Sequence, residues 1–511
     1  MKKNNFYITT PIYYPSGQPH MGHAYSSIIA DVFARFKRND NFKVFFLTGT
    51  DEHGLKIQKS AEKAGLKPLD YCNEISKIFK DLTKKLNLSN DDFIRTTEKR
   101  HYKSVNYLWD KLIKSGDIYL SKYEGWYSVS DEAYYNEEEI VEKNGKKIST
   151  FSGSPVEWVE EDSFFFKLSA WQDKLLDFYE KNEKFILPSS RRNEVIQFVK
   201  SGLKDLSVSR TSLSWGIKVP NKNEHVIYVW LDALTNYLSA LNYPNIEEDL
   251  YKDFWPASLH VIGKDILRFH AVYWPAFLLA AKIDPPIRVF GHGWILSGDE
   301  KMSKSKGNIL NPLEIINNYG IDELRYYLMK EVSHGSDGSI SLKSLENCIN
   351  SDLANNYGNL CQRVFSFIKN NCKNKVKKTK NLSNTDIDLI NKTNNLTKNL
   401  RSEMDNQNLN NYLKSVINIS FLTNKYINDE EPWKLKKDNV EKMNNILHLS
   451  LEQIAKISIL LNPVIPLASK KVLDSLNIKE DSRNLSFLDG NAVIPSEVNI
   501  SNLDILFRKI N

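Results

Sequence analysis

The sequence predicts an α/β protein: a parallel sheet with crossover helices, broken by a small insert and followed by a separate all-helical domain. Three observations predict it. Short apolar segments, each followed by a polar or glycine-containing loop, alternate with stretches of helical spacing. The texture turns aromatic and charged from about 117 to 215. After about 335 only helical periodicity remains, until near 485. With 511 residues, 41% of them hydrophobic, the chain can bury more than one core.

Taken in order, NFYITT is a short alternating strand, and YYPSGQPH after it is rich in turn formers. SSIIADVFARFKR then places Ile28, Ile29, Val32, Phe33 and Phe36 at helical spacing. KVFFLTGTDEHG is a second strand and loop. Strand, loop, helix, strand, loop is the order of a parallel sheet, in which ligands bind at the carboxyl ends of strands. Both PSGQPHMGH and TGTDEHG fall there. The segment 117–215, with YEGWYSVSDEAYYNEEE and SPVEWVEEDSFFFKLS, suggests a small unit of β-ribbons. HVIYVWLDALTNYLSAL and SLHVIGKDILRFHAVYWPAFLLA each resume the strand, turn and helix order. In ILNPLEIINNYG, Asn311 can cap a helix, Pro312 fits its first position, Glu314 its third and Gly320 its end. The final ~25 residues are polar and irregular and no element is assigned to them.

Composition excludes several classes. Four cysteines without CxxC spacing (Cys72, Cys348, Cys361, Cys372) read as free thiols in a reducing compartment, not a disulfide framework. The amino terminus lacks the apolar run of a signal peptide, and the most apolar stretch, AVYWPAFLLAAKI, is shorter than the ~20 residues of a membrane span. A cytoplasmic protein without membrane contact is expected. The net charge of +6 is compatible with a nucleic-acid partner but says little alone. Lysine- and asparagine-rich runs such as NCKNKVKKTKN read as solvated basic loops.

Two motifs carry phosphate chemistry. His20-Met21-Gly22-His23 lies between a proline- and glycine-rich turn and a helix start. The i,i+3 spacing puts both imidazoles on one side, Gly22 leaves room at the backbone, and the helix amino terminus favours phosphate. Two surface histidines or half a metal site are the plainer readings, although a zinc site needs about four ligands. Lys301-Met302-Ser303-Lys304-Ser305-Lys306-Gly307-Asn308 offers ammonium groups to phosphates. A solvated lysine loop is the alternative, which the neighbouring GHGWILSGDE and the capped helix after it disfavour.

HMGH and KMSKS, in this order and setting, resemble the two signatures of class I aminoacyl-tRNA synthetases. PIYYPSGQPHMGHAYS, FLTGTDEHGLKIQ, YEGWYSVSDEAYY, VEWVEEDSFFFKLS, YVWLDALTNY, HVIGKDILRFHAVYWPAFL and HGWILSGDEKMSKSKGN resemble the methionyl-tRNA synthetases specifically, in their short bacterial or organellar form. The resemblance runs from residue 6 to about 440. It implies a Rossmann-like catalytic domain in two halves, 1–116 and 216–335, around a connective insert at 117–215. It further implies a stem-contact linker at 336–355 and a helical anticodon-binding domain at 356–511.

By that resemblance His20, Gly22, His23, Gly263, Asp265, Lys301 and Lys304 bind ATP, and His20, His23, Lys301 and Lys304 are catalytic. Ile12, Tyr14, Asp51, Trp230, Ala233, Tyr237, Phe269 and His270 bind methionine, with Asp51 on the α-ammonium. An ordinary core position is an equal reading of Tyr237. The chemistry agrees, because a polarizable thioether favours aromatic edges, and Tyr14 or His270 could donate a weak hydrogen bond to it. Asn359, Arg363 and Trp433 read the anticodon, Trp433 by stacking.

Zinc-binding relatives carry cysteines where this chain has Ser128, Asp131, Ser149 and Ser152, so no structural zinc is expected. ATP as substrate, Mg2+, L-methionine and the initiator and elongator methionine tRNAs complete the implied set. The short insert argues against an editing domain, and no carboxy-terminal dimerising barrel is found, so a monomer is expected. A small nucleotidyltransferase, a tRNA-binding module without catalysis, and a class I enzyme for another amino acid are the competing readings. The large helical domain, the paired phosphate motifs with Asp51, and the aromatic pocket respectively oppose them.

Overall fold

A computed structural model describes residues 4–15, 17–131, 133–143, 145–297, 300–301, 311–332, 335–379 and 381–510, without the side chains of 134, 297, 300 and 301. The chain divides into two compact units: 1–19 with 45–292, and 20–44 with 293–511.

The first unit is built on a six-stranded sheet in the order Asp92–Arg95, Lys43–Thr50, Asn5–Thr9, Leu259–Gly263, Val289–His292, Ile186–Leu187. Strand 5–9 runs parallel to 259–263, which runs parallel to 289–292, and 43–50 runs parallel to 92–95. The chain steps outward from the central strand Asn5–Thr9 to one edge, then returns on its other side. The topological switch therefore lies between 5–9 and 259–263, where open parallel sheets bind ligands. Pro11–Tyr14, in which Tyr13 still bridges Thr50, and Lys264–Asp265 follow the two strands at that point. One apolar cluster, from Tyr7 and Leu47 through Trp109, Phe166 and Leu231 to Trp274 and Phe277, packs this unit.

Two strands differ from the sequence reading. HVIYVW does not enter the parallel sheet. Lys222–Ile227 instead pairs antiparallel with Lys218–Val219 and Ser209–Arg210. The cause is the tight turn before it, where Asn221 takes φ 61°. Strands joined so closely can only pair antiparallel, whereas parallel pairing needs a long crossover. Within the stretch read as an insert, Ile186–Leu187 forms the edge of the large sheet, pairing with Val289 and Phe290. Two residues are too few to show periodicity. The ribbon character holds for Ile118–Ser128 against Glu157–Phe166 and for the hairpin Ile140–Lys143 with Lys146–Ser149.

The second unit contains helix Met21–Asn39, helices Pro312–Tyr319 and Ile321–Glu331, and the helical stretch from Leu342 to Ser475. Helix 312–319 starts as expected, with Asn311 Oδ1 accepting from the Leu313 N–H at 2.9 Å and Gly320 at its end. Arg325 is fully buried, and its guanidinium reaches Asp31 at 2.6 Å and the carbonyls of Pro463 and Val464 at 2.8 and 2.9 Å. A buried cation placed this way is paired and hydrogen-bonded, and removing its partner costs about 3–5 kcal/mol. Helix 21–39 is thereby tied to helix 321–331 and to the turn after helix Val440–Leu461. The carboxy-terminal residues, unassigned from sequence, are strapped down. Glu497–Asn499 pairs with Lys375–Lys377, Leu503 and Phe507 are buried, and Ile510 exchanges two hydrogen bonds with the Asn350 side chain at 2.8 Å.

Candidate active site

The first helix of the second unit starts at Met21, earlier than its apolar run, because the two histidines cap it. His20 Nδ1 accepts from the Gly22 N–H at 3.1 Å, and His23 Nδ1 accepts from the His20 N–H at 3.2 Å. This is a reciprocal capping box built from imidazoles. The rings stack with centroids 3.8 Å apart. With both Nδ1 atoms accepting, a neutral ring carries its proton on Nε2, so each histidine offers an N–H donor beyond the cap. Gly22 serves the rings first, since a Cβ there would stand 3.1 Å from the His20 ring.

In the first unit, the segment Asp51-Glu52-His53 ends strand 43–50. Asp51 is buried, and its N–H donates to Tyr13 O at 2.8 Å. Glu52 is fully buried and receives Arg95 Nε and Nη2 at 2.7 and 2.9 Å, with Thr50 and Thr97 hydroxyls at 2.7 and 2.5 Å. Trp215 Nε1 donates to Glu52 O at 2.6 Å, and the Tyr14 hydroxyl donates to His53 O at 3.2 Å. His53 Nδ1 meets Asp232 Oδ2 at 2.7 Å. Asp232 lies on helix Val229–Leu234, which also carries Trp230 and Ala233.

Trp230 stacks face to face on Phe269, centroids 3.6 Å apart and 6° from parallel. Next to them His270 and Tyr237 are buried, with Tyr237 Oη 2.8 Å from His270 Nε2. His270 Nδ1 lies 3.0 Å from Ile266 O, an atom that can only accept. The ring therefore donates from Nδ1, and Nε2 accepts from Tyr237. Burial holds its pKa down at about 4, so the ring is neutral. Both donors proposed for a thioether are thus engaged elsewhere, Tyr14 on His53 O and His270 on Ile266 O. What the wall presents is the aromatic surface of Trp230 and Phe269. Phe269 and His270 begin a single π-helical turn, Phe269–Tyr273, of the kind that often marks functional sites. Ile12 packs on the same apolar cluster as Trp230 and Phe269. Gly263 ends its strand with the Asp265 carboxylate close over it, since a Cβ would fall 2.5 Å from Asp265 Oδ1 and push that side chain aside.

Lys301 is the last residue of the short strand Glu300–Lys301, paired with Leu296, and its side chain lies outside the described residues. Lys304 and the rest of 302–310 lie outside them as well.

In the second unit, Asn359 and Arg363 sit one turn apart on helix Asn359–Asn371. The Arg363 guanidinium lies 5.9 Å from the ring of Trp433, which is 39% exposed, and donates to Asn428 Oδ1 at 2.8 Å. Sequence reasoning missed Asn428, which carries no motif. It also missed the linkage of Asp232 and His101, whose Nε2 meets Asp232 Oδ1 at 2.7 Å.

In the insert, Asp131 accepts from the hydroxyls of Ser152, Ser154 and Tyr135, the last two at 2.8 Å. Ser128 Oγ accepts from the Asp131 N–H at 3.4 Å, and Ser149 Oγ accepts from the N–H groups of Phe151 and Ser152 at 3.2 and 3.3 Å. The four positions converge as a hydroxyl–carboxylate knot. One carboxylate among hydroxyls is a poor zinc donor set, lacking thiolate and imidazole.

The chain matches two family models: tRNA synthetases class I (M) over residues 6–365, and the anticodon binding domain of methionyl tRNA ligase over 376–511. It is 48% identical to the methionine–tRNA ligase of Brucella suis, over 95% of this chain and 94% of that one. It is 49% identical to the Rickettsia typhi enzyme, over 99% of this chain and 100% of that one. Among solved structures, methionyl-tRNA synthetase of Mycobacterium tuberculosis bound by methionyl-adenylate superposes with a TM-score of 0.95 at 42% identity, covering 99% of this chain and 100% of that one. The apo form of the same enzyme gives 0.89 at 38% identity, with 100% and 99% covered.

Proposed function

The chain belongs to the class I methionyl-tRNA synthetases, and from that premise we propose how its residues divide the work. The activity is methionine–tRNA ligation: ATP, L-methionine and methionine tRNA give methionyl-tRNA, AMP and diphosphate through a bound methionyl-adenylate. In the first step the methionine carboxylate attacks the α-phosphorus and diphosphate leaves. In the second the terminal adenosine hydroxyl of the tRNA attacks the adenylate carbonyl and AMP leaves. A carboxylate is already a competent nucleophile, so the protein supplies position and charge rather than a strong base.

His20 and His23 donate from Nε2 to phosphoryl oxygens, as their capping geometry supports. Lys301 and Lys304 supply positive charge to the same phosphates. Gly22, Gly263 and Asp265 hold the nucleotide, and Mg2+ accompanies ATP and neutralises its phosphates. Asp51 pairs with the α-ammonium, and Ile12, Tyr14, Trp230, Ala233, Tyr237, Phe269 and His270 form the side-chain pocket. The observation that carries this reading is the Asp51 segment at the carboxyl end of strand 43–50, beside the central strand 5–9, tied by His53 to the helix bearing Trp230 and Ala233.

Asn359, Arg363 and Trp433 read the anticodon of initiator and elongator tRNAs. The division into catalytic halves 1–116 and 216–335, insert 117–215, linker 336–355 and anticodon domain 356–511 belongs to the same reading. The Asp131 knot stands in the insert in place of structural zinc, and the enzyme works as a cytoplasmic monomer. Among the described residues, no helix is long and apolar enough to cross a membrane.

ATP–pyrophosphate exchange with methionine, leucine, isoleucine, valine and cysteine offered separately tests the pocket. Exchange with methionine alone is expected, and exchange with another amino acid instead would break the pocket assignment.

A further inference from the structure

We propose that Asp232 is a positioning residue for methionine binding, acting through His53 to hold the Asp51 carboxylate where the substrate's ammonium arrives. The proposal rests on the reading of Asp51 given above. Its basis is a bridge inside the first unit. Asp232 is fully buried, and its two oxygens take one histidine each, His53 Nδ1 and His101 Nε2, both at 2.7 Å. Neither histidine is idle on its far side. His101 Nδ1 is 3.0 Å from Ser239 Oγ, and His53 Nε2 is 3.2 Å from the Tyr102 hydroxyl. The His53 ring is also held edge-on by Trp215, with centroids 5.5 Å apart.

The placement of the bridge gives it meaning. His53 is two residues from Asp51, and Asp232 lies between Trp230 and Ala233. One hydrogen bond therefore fixes the loop that carries the charge against the helix that carries the apolar wall. The other side of the loop is clamped separately by the Glu52–Arg95 pair. With backbone anchors at Tyr13, Trp215 and Tyr14, the segment 51–53 has little freedom left. A carboxylate held in advance loses little entropy when it takes a charged ligand, and shifts of even 1 Å are costly to such pairs. The bridge reaches the site through the segment 51–53, so its effect is expected at the amino end of methionine.

The test uses the full-length enzyme in ATP–pyrophosphate exchange, with the des-amino analogue of methionine as a competitive inhibitor. Asp232→Asn should raise the methionine KM about tenfold while the ATP KM stays within about twofold, and inhibition by the analogue should not change. His53→Gln, which leaves the Asp232–His101 bond in place to hold the fold, should do the same. An unchanged methionine KM in both variants overturns the proposal. So does a loss of analogue binding in step with methionine, because that marks a general collapse of the pocket. Asp51→Asn is run beside them. If it leaves the methionine KM unchanged, the ammonium reading falls and takes the proposal with it. If it raises the KM while the Asp232 and His53 variants do not, only the positioning role falls.

Discussion

The two recognition surfaces of this chain are built on opposite plans. The residues assigned to methionine are buried or half-buried and interlocked: Asp51 behind the Glu52 and His53 clamps, Tyr237 on His270, Trp230 flat on Phe269. The residues assigned to the anticodon are exposed or half-buried, and Arg363 joins them by a cation–π approach to Trp433 and a hydrogen bond to Asn428. A small substrate with one charge and one thioether must be recognised by a closed, preformed cavity. An RNA loop brings its own large flat surfaces and can be met by side chains waiting in solvent. Buried networks should therefore fail abruptly when one member is lost, and the open face should fail by degrees.

The sharpest test of that contrast is Asp51→Ala. Removing one partner of a desolvated charge pair costs about 3–5 kcal/mol, or roughly two to four orders of magnitude in kcat/KM for methionine. Steady-state pyrophosphate exchange across a methionine series would show it, and a loss of only a few-fold would mean the pocket is wetter than its burial implies.

Next in size is a pH effect confined to the buried side. Burial pushes His270 down to about 4, while the unfolded ring titrates near 6.5. As pH falls from about 6.5 towards 4, the unfolded chain takes up a proton that the folded one refuses. Stability is thus fully present above about 6.5 and lost below it, by about 2 kcal/mol between pH 7 and pH 5 from this ring alone. His260, fully buried and held well below its usual pKa by burial and by His270, adds in the same direction. Urea unfolding of the wild type and of His270→Gln at the two pH values isolates the share of His270. Equal pH sensitivity of both proteins would remove that ring from the account.

Trp433→Ala should come third. A base stacked on an aromatic ring is worth about 1–3 kcal/mol, so tRNA charging should fall by about 10- to 100-fold while tRNA-independent pyrophosphate exchange stays at its wild-type level. Loss of both activities together would show that the tryptophan supports the fold rather than the anticodon.

How much of this was readable in advance follows the same divide. Strands 5–9, 43–50 and 259–263, the capped helix at 312 and the histidine pair could be read because local pattern and turn chemistry specify them. The antiparallel placement of Lys222–Ile227 could not, because an apolar run does not name its neighbours, and the deciding signal was one asparagine turn at 221. Nor could the edge strand Ile186–Leu187 or the carboxy-terminal strap, which are too short for periodicity. Of the site, single residues were legible by resemblance, but not their bonds. Tyr14 and His270 suggested donors for sulfur until the carbonyls of His53 and Ile266 were seen to hold their protons. Asp232, one residue from a recognised pocket position, gave no signal, since its partners His53 and His101 are distant in sequence.

The smallest effect expected is the one that tests whether the open face is organised at all. Asn428 Oδ1 accepts from an Arg363 Nη2 proton at 2.8 Å, and Asn428 itself is exposed. Such a solvent-facing hydrogen bond contributes about 0.5–1.5 kcal/mol at most. It nevertheless fixes which edge of the guanidinium points outward beside Trp433, and an arginine that reads a base edge must present a defined pair of donors. Asn428→Ala should therefore raise the KM for tRNA by about two- to tenfold with kcat nearly unchanged. Asn428→Asp, which keeps the acceptor and strengthens the bond to Arg363, should hold the arginine but also add a negative charge to an RNA-facing surface. Its penalty should shrink with added salt less than proportionally if orientation matters, and vanish into the salt dependence if charge is all that matters. If Asn428→Ala leaves the tRNA KM unchanged, Arg363 needs no orientation, and the anticodon face is a set of independent contacts.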